Sequence, residues 1–261
     1  MNKKWYSRDE LFTEVNKIVI PTKIVLDVGA GIYPQHFFTP DIHIIVEPFL
    51  PYLKKLAETD AYPINKIFLN SDWFTAMKLL PEKTVDTVFG IDVIEHFNKD
   101  DGYHFLAEAE RVARCQIIIF TPLGMYPQSY QENDLDRWGM HGSMWQSHKS
   151  GWMPEDFIGD GWEFLICKDF QPVDQYELPL QEPFGAFWAI KTLETKYLFF
   201  SPMKDRLLAS ESGNEKLANY AYNNLGETLL PKYRYRTLVK YLLQNAIRVL
   251  FSKIKVLFSS D

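Results

Sequence analysis

In the first two-thirds of the chain, hydrophobic positions gather into short, almost unbroken apolar runs separated by stretches of helical period. Residues 23–29, 43–48, 65–71, 85–92 and 115–122 read as strands. Their centres are apolar on consecutive residues, the pattern of strands covered on both faces. Between them, residues 8–18, 51–58, 73–80 and 101–113 read as helices, and a further one over 154–159 opens on Pro154, Glu155 and Asp156, as helix starts often do. This alternation predicts parallel βαβ units. Two later runs, 162–170 and 184–192, complete the expected fold: an α/β, seven-stranded, mostly parallel sheet with helices on both faces.

Three stretches depart from the alternation. Only eleven residues separate Gly31 from His43, and two of them are Pro34 and Pro40, so the first crossover helix must shrink to a turn or two. Residues 123–152 are polar, rich in Trp and without a sustained period; a loop of that length after a strand is usually functional or disordered. After about residue 195 the pattern turns helical. Two regions are expected, a main domain over 1–195 and a C-terminal helical extension over 196–261.

Composition narrows the partners. A net charge of −6 and a pI near 5.6 give no general electrostatic reason to hold DNA or RNA. Both cysteines, Cys115 and Cys167, sit inside apolar runs, which suits a reducing compartment. Charge at Arg8, Asp9 and Glu10 interrupts the N-terminus before a signal-peptide core develops, and no apolar run reaches membrane-spanning length. The expected location is cytoplasmic.

The most informative stretch is Val25-Leu26-Asp27-Val28-Gly29-Ala30-Gly31, an apolar strand running into two glycines. Glycine permits positive φ and lets a ligand approach the backbone, and a nucleotide-like ligand at the carboxyl end of such a strand is the default for open α/β sheets. A dinucleotide fingerprint needs a third glycine, yet the turn continues Ile32-Tyr33-Pro34. That weakens a nicotinamide-dependent oxidoreductase. Asp27 brings a carboxylate suited either to a cationic ligand or to pinning the loop.

The segment resembles motif I of class I S-adenosylmethionine-dependent methyltransferases. Three further positions match that family's order. Glu47, followed by Pro48, ends the second strand, where the family's acid binds both ribose hydroxyls. Asp72 follows the third strand, where the family contacts the adenine amino group, with Trp73 or Phe74 packing on the ring; by itself Asp72 is more often a helix N-cap. Gly90-Ile91-Asp92-Val93-Ile94-Glu95-His96-Phe97 resembles the fourth-strand motif, whose start, including Asp92, lines the methyl-donor pocket. The resemblance implies a Rossmann-like sheet, S-adenosylmethionine as cofactor, and Asp27, Gly29, Ala30, Gly31, Glu47, Pro48, Asp72, Trp73 and Asp92 as its binding residues. It covers 23–122 well and 123–195 loosely, and the shortened segment after Gly31 departs from the usual pattern.

If the acceptor is a hydroxyl, a histidine base would help. His96 closes the fourth-strand motif, while His141 and His148 lie in the Trp-rich segment 138–148. Each also has a plainer reading, as a structural or solvated side chain. Glu132, Asp134 and Asp136 with the two loop histidines match no known metal-ligand spacing, so a solvated acidic turn is preferred and no metal is expected. The Gly31-Ile32-Tyr33-Pro34-Gln35 turn and the loop ahead of Pro154 resemble bacterial methyltransferases of surface-polysaccharide synthesis, which implies O-methylation of a sugar or glycolipid intermediate. The alternative from another class is a non-catalytic methyltransferase-like binding or scaffold protein.

Residues 231–258 carry Lys232, Arg234, Arg236, Lys240, Arg248, Lys253 and Lys255 without an acid. At about 100° per residue, Gln244, Asn245, Arg248, Ser252 and Lys255 form a polar wedge opposite Leu238, Leu242, Ala246, Val249, Leu250, Ile254 and Leu257. Such a face needs burial in the protein, in a homo-oligomer, or at the inner face of a membrane.

Overall fold

The computed structural model describes residues 2–59, 65–131 and 133–193. The expected C-terminal extension, with its basic helix over 231–258, lies outside the described residues, as does Glu132. The strands are β1 (Asn2–Trp5), β2 (Ile24–Val28), β3 (Ile42–Val46), β4 (Lys66–Leu69), β5 (Val85–Ile91), β6 (Ala113–Pro122), β7 (Trp162–Val173) and β8 (Pro179–Thr192). The helices are α1 (Arg8–Ile18), α2 (Leu50–Thr59), α3 (Trp73–Leu79), α4 (Lys99–Val112) and α5 (Ser143–Gln146). No helix among the described residues is long and apolar enough to cross a membrane.

All eight strands form one sheet in the order β1-β7-β8-β6-β5-β2-β3-β4. The sheet therefore has eight strands rather than seven, because β1 adds a parallel edge to β7, with Lys3 opposite Phe164. Every residue of β1 is exposed, so no apolar pattern announced it. β8 is antiparallel to both β6 and β7, and the remaining pairs are parallel. From β4 to β6 the order matches the first five strands of a doubly wound dinucleotide fold, but the reversed β8 departs from that fold's parallel sixth strand.

Strand alternation sorts the two faces. Leu26, Val28, Val88, Ile117 and Ile119 meet α3 and α4 through Met77, Phe105 and Ala109. Val25, Phe89, Ile118 and Phe120 meet α1 through Leu11 and Val15, with Trp188 of β8 filling the same layer. Leu53 and Leu56 of α2 cover Ile45. α1 starts on a capping box in which Ser7 and Glu10 satisfy each other's backbone N–H groups.

Two helical expectations fail. Residues 31–41 contain no helix at all, because prolines at 34 and 40 leave too little chain for a turn to pack. The helix expected over 154–159 is a 3-10 turn, Pro154–Asp156; Gly159 and Gly161 at φ +91° and +88° end the helical path. The long segment 123–152 in turn holds the one-turn α5.

Candidate active site

β2 leads by way of β3 to β4 on one side, while β5 leads to β6 on the other, so the crossovers diverge between β2 and β5. A crevice at the carboxyl ends of two such strands is where open α/β sheets bind ligands. The loops leaving them touch: a Cβ on Gly29 would stand 2.7 Å from Val93 Cγ2. Gly29 and Gly31 hold φ of +64° and +55°, conformations that cost other residues roughly 1–2 kcal/mol.

Glu47, at the tip of β3, is 3% exposed. Its Oε2 accepts from Gly31 N–H at 2.9 Å and its Oε1 from Phe49 N–H at 2.8 Å. Burial pushes this carboxyl up to about 7, against the pull of the two N–H bonds. Pro48 beside it offers its carbonyl to Asn70 Nδ2, which also reaches the Glu47 carbonyl and ties the end of β4 to that of β3.

Asp27 lies beneath the turn. Its Oδ2 accepts from Gln35 N–H at 2.7 Å and pairs with His43 Nε2 at 3.1 Å. Of the two uses open to this carboxylate, the geometry is that of loop pinning. Ala30 packs toward Ile45, Leu53 and Leu56, and its carbonyl receives Tyr33 N–H.

Asp72 is exposed and caps α3, with Thr75 N–H and Oγ1 each donating to it at 2.8 Å. Trp73 turns inward against Phe97 and Phe105, at ring separations of 5.5 Å.

The segment after β6 folds over this edge around one carboxylate. Asp136 is buried, and it accepts from Trp138, Met140 and Gly142 N–H groups and from the Tyr52 hydroxyl. The Trp138 ring is thereby laid on the glycine turn: a Cβ on Gly31 would meet its Cη2 at 2.6 Å. Tyr33 and Tyr52 flank the ring at 6.1 and 4.8 Å. Asp134 serves Gln131 N–H and the Tyr176 hydroxyl. Neither acid converges with the histidines.

A second constellation follows β5. Asp92 has a φ of +50°, a backbone state that a non-glycine residue keeps only where its surroundings enforce it. Asp92 is exposed, and desolvation by the surrounding protein raises its carboxyl above the ordinary range against the opposing charge of Arg137. Glu95 is 1% exposed. Its Oε2 accepts from Thr121 Oγ1 at 2.9 Å, and its Oε1 has no hydrogen-bond partner among the described residues. Burial and the neighbouring Asp92 raise its pKa well above the ordinary range.

His96 and His148 lie 4.9 Å apart, centroid to centroid. His96 Nδ1–H donates to the Ser147 carbonyl and His148 Nδ1–H to the Tyr126 carbonyl. Burial lowers His96 to about 4 and His148, with help from the His96 charge, to about 3. They are weak bases at neutral pH. The loop bearing His148 is stitched down by Lys149 and Ser150 N–H groups on the Glu95 carbonyl. His141, by contrast, is exposed and outside this group.

The structure thus gathers Gly29, Ala30, Gly31 and Glu47 at one spot and Asp92, His96 and His148 near another on the same sheet edge. Sequence reasoning assigned no role to Tyr52, Asn70, Glu95 or Thr121, and read Asp136 as part of a solvated acidic turn where the structure buries it. Only Glu95 left a signal, as an acid within an apolar run directly before a histidine.

No family model matches the sequence, and no curated protein matches it. Among solved structures, the chain is similar to an S-adenosylmethionine-dependent methyltransferase from Archaeoglobus fulgidus, at 15% identity and a TM-score of 0.45 over 72% of this chain and 95% of that one. It is also similar to magnesium protoporphyrin IX methyltransferase from Synechocystis PCC 6803 with bound S-adenosylhomocysteine, at 14% identity and a TM-score of 0.40 over 69% and 79%. A third is phosphoethanolamine N-methyltransferase 1 from Haemonchus contortus, at 17% identity and 0.43 over 86% and 53%.

Proposed function

We propose that this chain is an S-adenosylmethionine-dependent methyltransferase. The observation that carries the reading is the pairing of a positive-φ glycine turn with a buried acid on the next strand, Gly31 N–H to Glu47 Oε2 at 2.9 Å, at the point where the sheet's crossovers diverge. Glu47 accepts two hydrogen bonds, and a carboxylate can accept about four. It therefore retains capacity for the two hydroxyls of a ribose. The Gly29–Gly31 backbone offers close approach to a ligand. These residues fit the cofactor on one condition: the Trp138 ring must move off Gly31 to admit it.

The cofactor supplies a methyl group on a sulfonium, already activated for in-line displacement. The protein's task is then alignment and exclusion of water, which can be worth roughly 7–11 kcal/mol. Asp27 serves it by bracing the turn through Gln35 and His43, and Asp136 by holding the covering loop. As the finer part of the proposal, the acceptor is a hydroxyl of a sugar or glycolipid intermediate. What supports this is the aromatic surface of the covering loop and turn, where Tyr33 is 73% and Trp145 48% exposed, since sugars stack on such rings.

One observation favours a second reading. Trp138 sits where a ligand would lie on Gly31, as expected of a binding or scaffold protein whose turn is closed by its own side chain. Calorimetric titration with S-adenosylhomocysteine separates the two. Saturable 1:1 binding lost in Glu47→Ala supports the enzyme; no heat at millimolar ligand supports the scaffold.

A further inference from the structure

We propose that Glu95, His96 and His148 form a binding site for one divalent first-row transition-metal ion. One ligand atom from each lies within 4.8 Å of the other two, and this is the group among the described residues able to hold a metal. The site does not depend on the methyltransferase reading.

Three features mark it as built for a cation. First, Glu95 keeps Oε1 without a hydrogen-bond partner in a position closed to solvent. A lone carboxylate oxygen in the interior forfeits its solvation, and a cation restores what is lost. Its other oxygen is oriented by Thr121 at 2.9 Å, so the lone pairs of Oε1 are held in a fixed direction.

Second, each histidine spends Nδ1 on a backbone carbonyl, His96 on Ser147 at 3.1 Å and His148 on Tyr126 at 3.0 Å. That fixes the tautomer with the proton on Nδ1 and leaves the Nε2 lone pair for ligation. Metal-binding histidines are commonly held by this same carbonyl support. Third, the two histidines come from segments joined by several hydrogen bonds: Lys149 and Ser150 N–H on the Glu95 carbonyl, and His96 Nδ1–H on the Ser147 carbonyl. The framework is therefore in place without the ion.

Bonds of about 2.1 Å at tetrahedral angles put ligand atoms about 3.4 Å apart. With the present ligand atoms within 4.8 Å of one another, an ion would draw the widest pair together by about 1.4 Å at most, through small shifts of the His148 loop. Two imidazoles and one carboxylate suit Zn(II), Fe(II), Mn(II) or Co(II) better than Ca(II) or Mg(II), which prefer all-oxygen shells. Three protein ligands leave positions for water or for an oxygen of a bound molecule.

The test uses the full-length chain, stripped with chelator and titrated with Co(II), whose visible d–d bands report nitrogen and oxygen ligation. The expected result is one Co(II) per chain, competed by Zn(II), with at least a tenfold loss of affinity in His148→Ala and in Glu95→Gln and no change in His104→Ala. Far-ultraviolet circular dichroism checks that each variant is folded; should Glu95→Gln fail to fold, His148→Ala and the wild-type stoichiometry decide alone. No Co(II) bound by the wild-type chain, or binding undiminished in His148→Ala, overturns the proposal.

Discussion

The hydroxyl of Tyr52 donates to Asp136 Oδ2 at 2.5 Å, joining the first turn of α2 to the loop that lies over the glycine turn. Both residues are buried, and the same carboxylate also receives three backbone N–H groups. The loop is thus held by one acid at its centre rather than by its own period.

Tyr52→Phe removes one of these donors and leaves an under-satisfied buried carboxylate. The expected cost is about 1–3 kcal/mol, read as a lower unfolding midpoint in urea. Faster amide exchange should be confined to residues 136–142. Unchanged stability and exchange would show that the three backbone donors suffice.

Gly31→Ala meets two penalties, a φ of +55° and a Cβ at 2.6 Å from Trp138. The first costs roughly 1–2 kcal/mol whatever the neighbours; the second vanishes once the ring is absent. In a double-mutant cycle with Trp138→Ala, the coupling should fall within about 0.5–3 kcal/mol. Strict additivity would mean that the ring does not press on the turn.

Trp138→Ala should also tighten S-adenosylhomocysteine binding, because the ligand no longer has to displace the ring. A gain of about threefold or more in affinity by calorimetry is expected, with intrinsic fluorescence of the wild-type chain changing on titration. Weaker binding in the variant would instead make Trp138 a wall of the occupied site.

Glu47 gives a pH signature of stability. Its folded pKa is about 7 against an ordinary 4.5, so between these values the folded chain keeps a proton that the unfolded chain has released. Stability contributed by this group therefore falls as pH rises through that window and levels off above it, by up to about 3 kcal/mol. His96 and His148, with folded values below 6.5, act in the opposite direction over the acidic part of the range. The informative quantity is accordingly the difference between wild type and Glu47→Gln, followed by urea unfolding from about pH 5 to pH 8. It should shrink toward high pH; a flat difference would contradict the raised pKa.

What could be read in the sequence follows from how each element is stabilised. β2, β5 and β6 are buried on both faces, so Val25, Leu26, Val88, Phe89, Ile117 and Ile118 had to be apolar in succession. The glycine turn was legible because glycine adopts its positive φ without the cost other residues meet, and Glu47 because an acid ending an apolar strand is conspicuous. β1 was not, since backbone pairing holds it and its side chains are exposed. The reversal of β8 was hidden too, as strand direction leaves no mark on an apolar run. Asp136 looked like part of an acidic, solvated turn because its partners are mostly backbone N–H groups, which carry no side-chain signature. Glu95 was passed over because its significance lies in a histidine 53 positions later, brought alongside by the fold.

The exposed four-residue strand at the sheet's margin has a consequence for how the protein behaves in concentrated solution. Without it, β7 would present a bare rail of N–H and C=O groups flanked by Phe164 and Ile166, a template for stacking against other molecules. Lys3 and Lys4, paired with Glu155 and Glu163, turn that rail into a charged border, so trimming a few residues from the N-terminus should show itself first as clumping rather than as loss of fold.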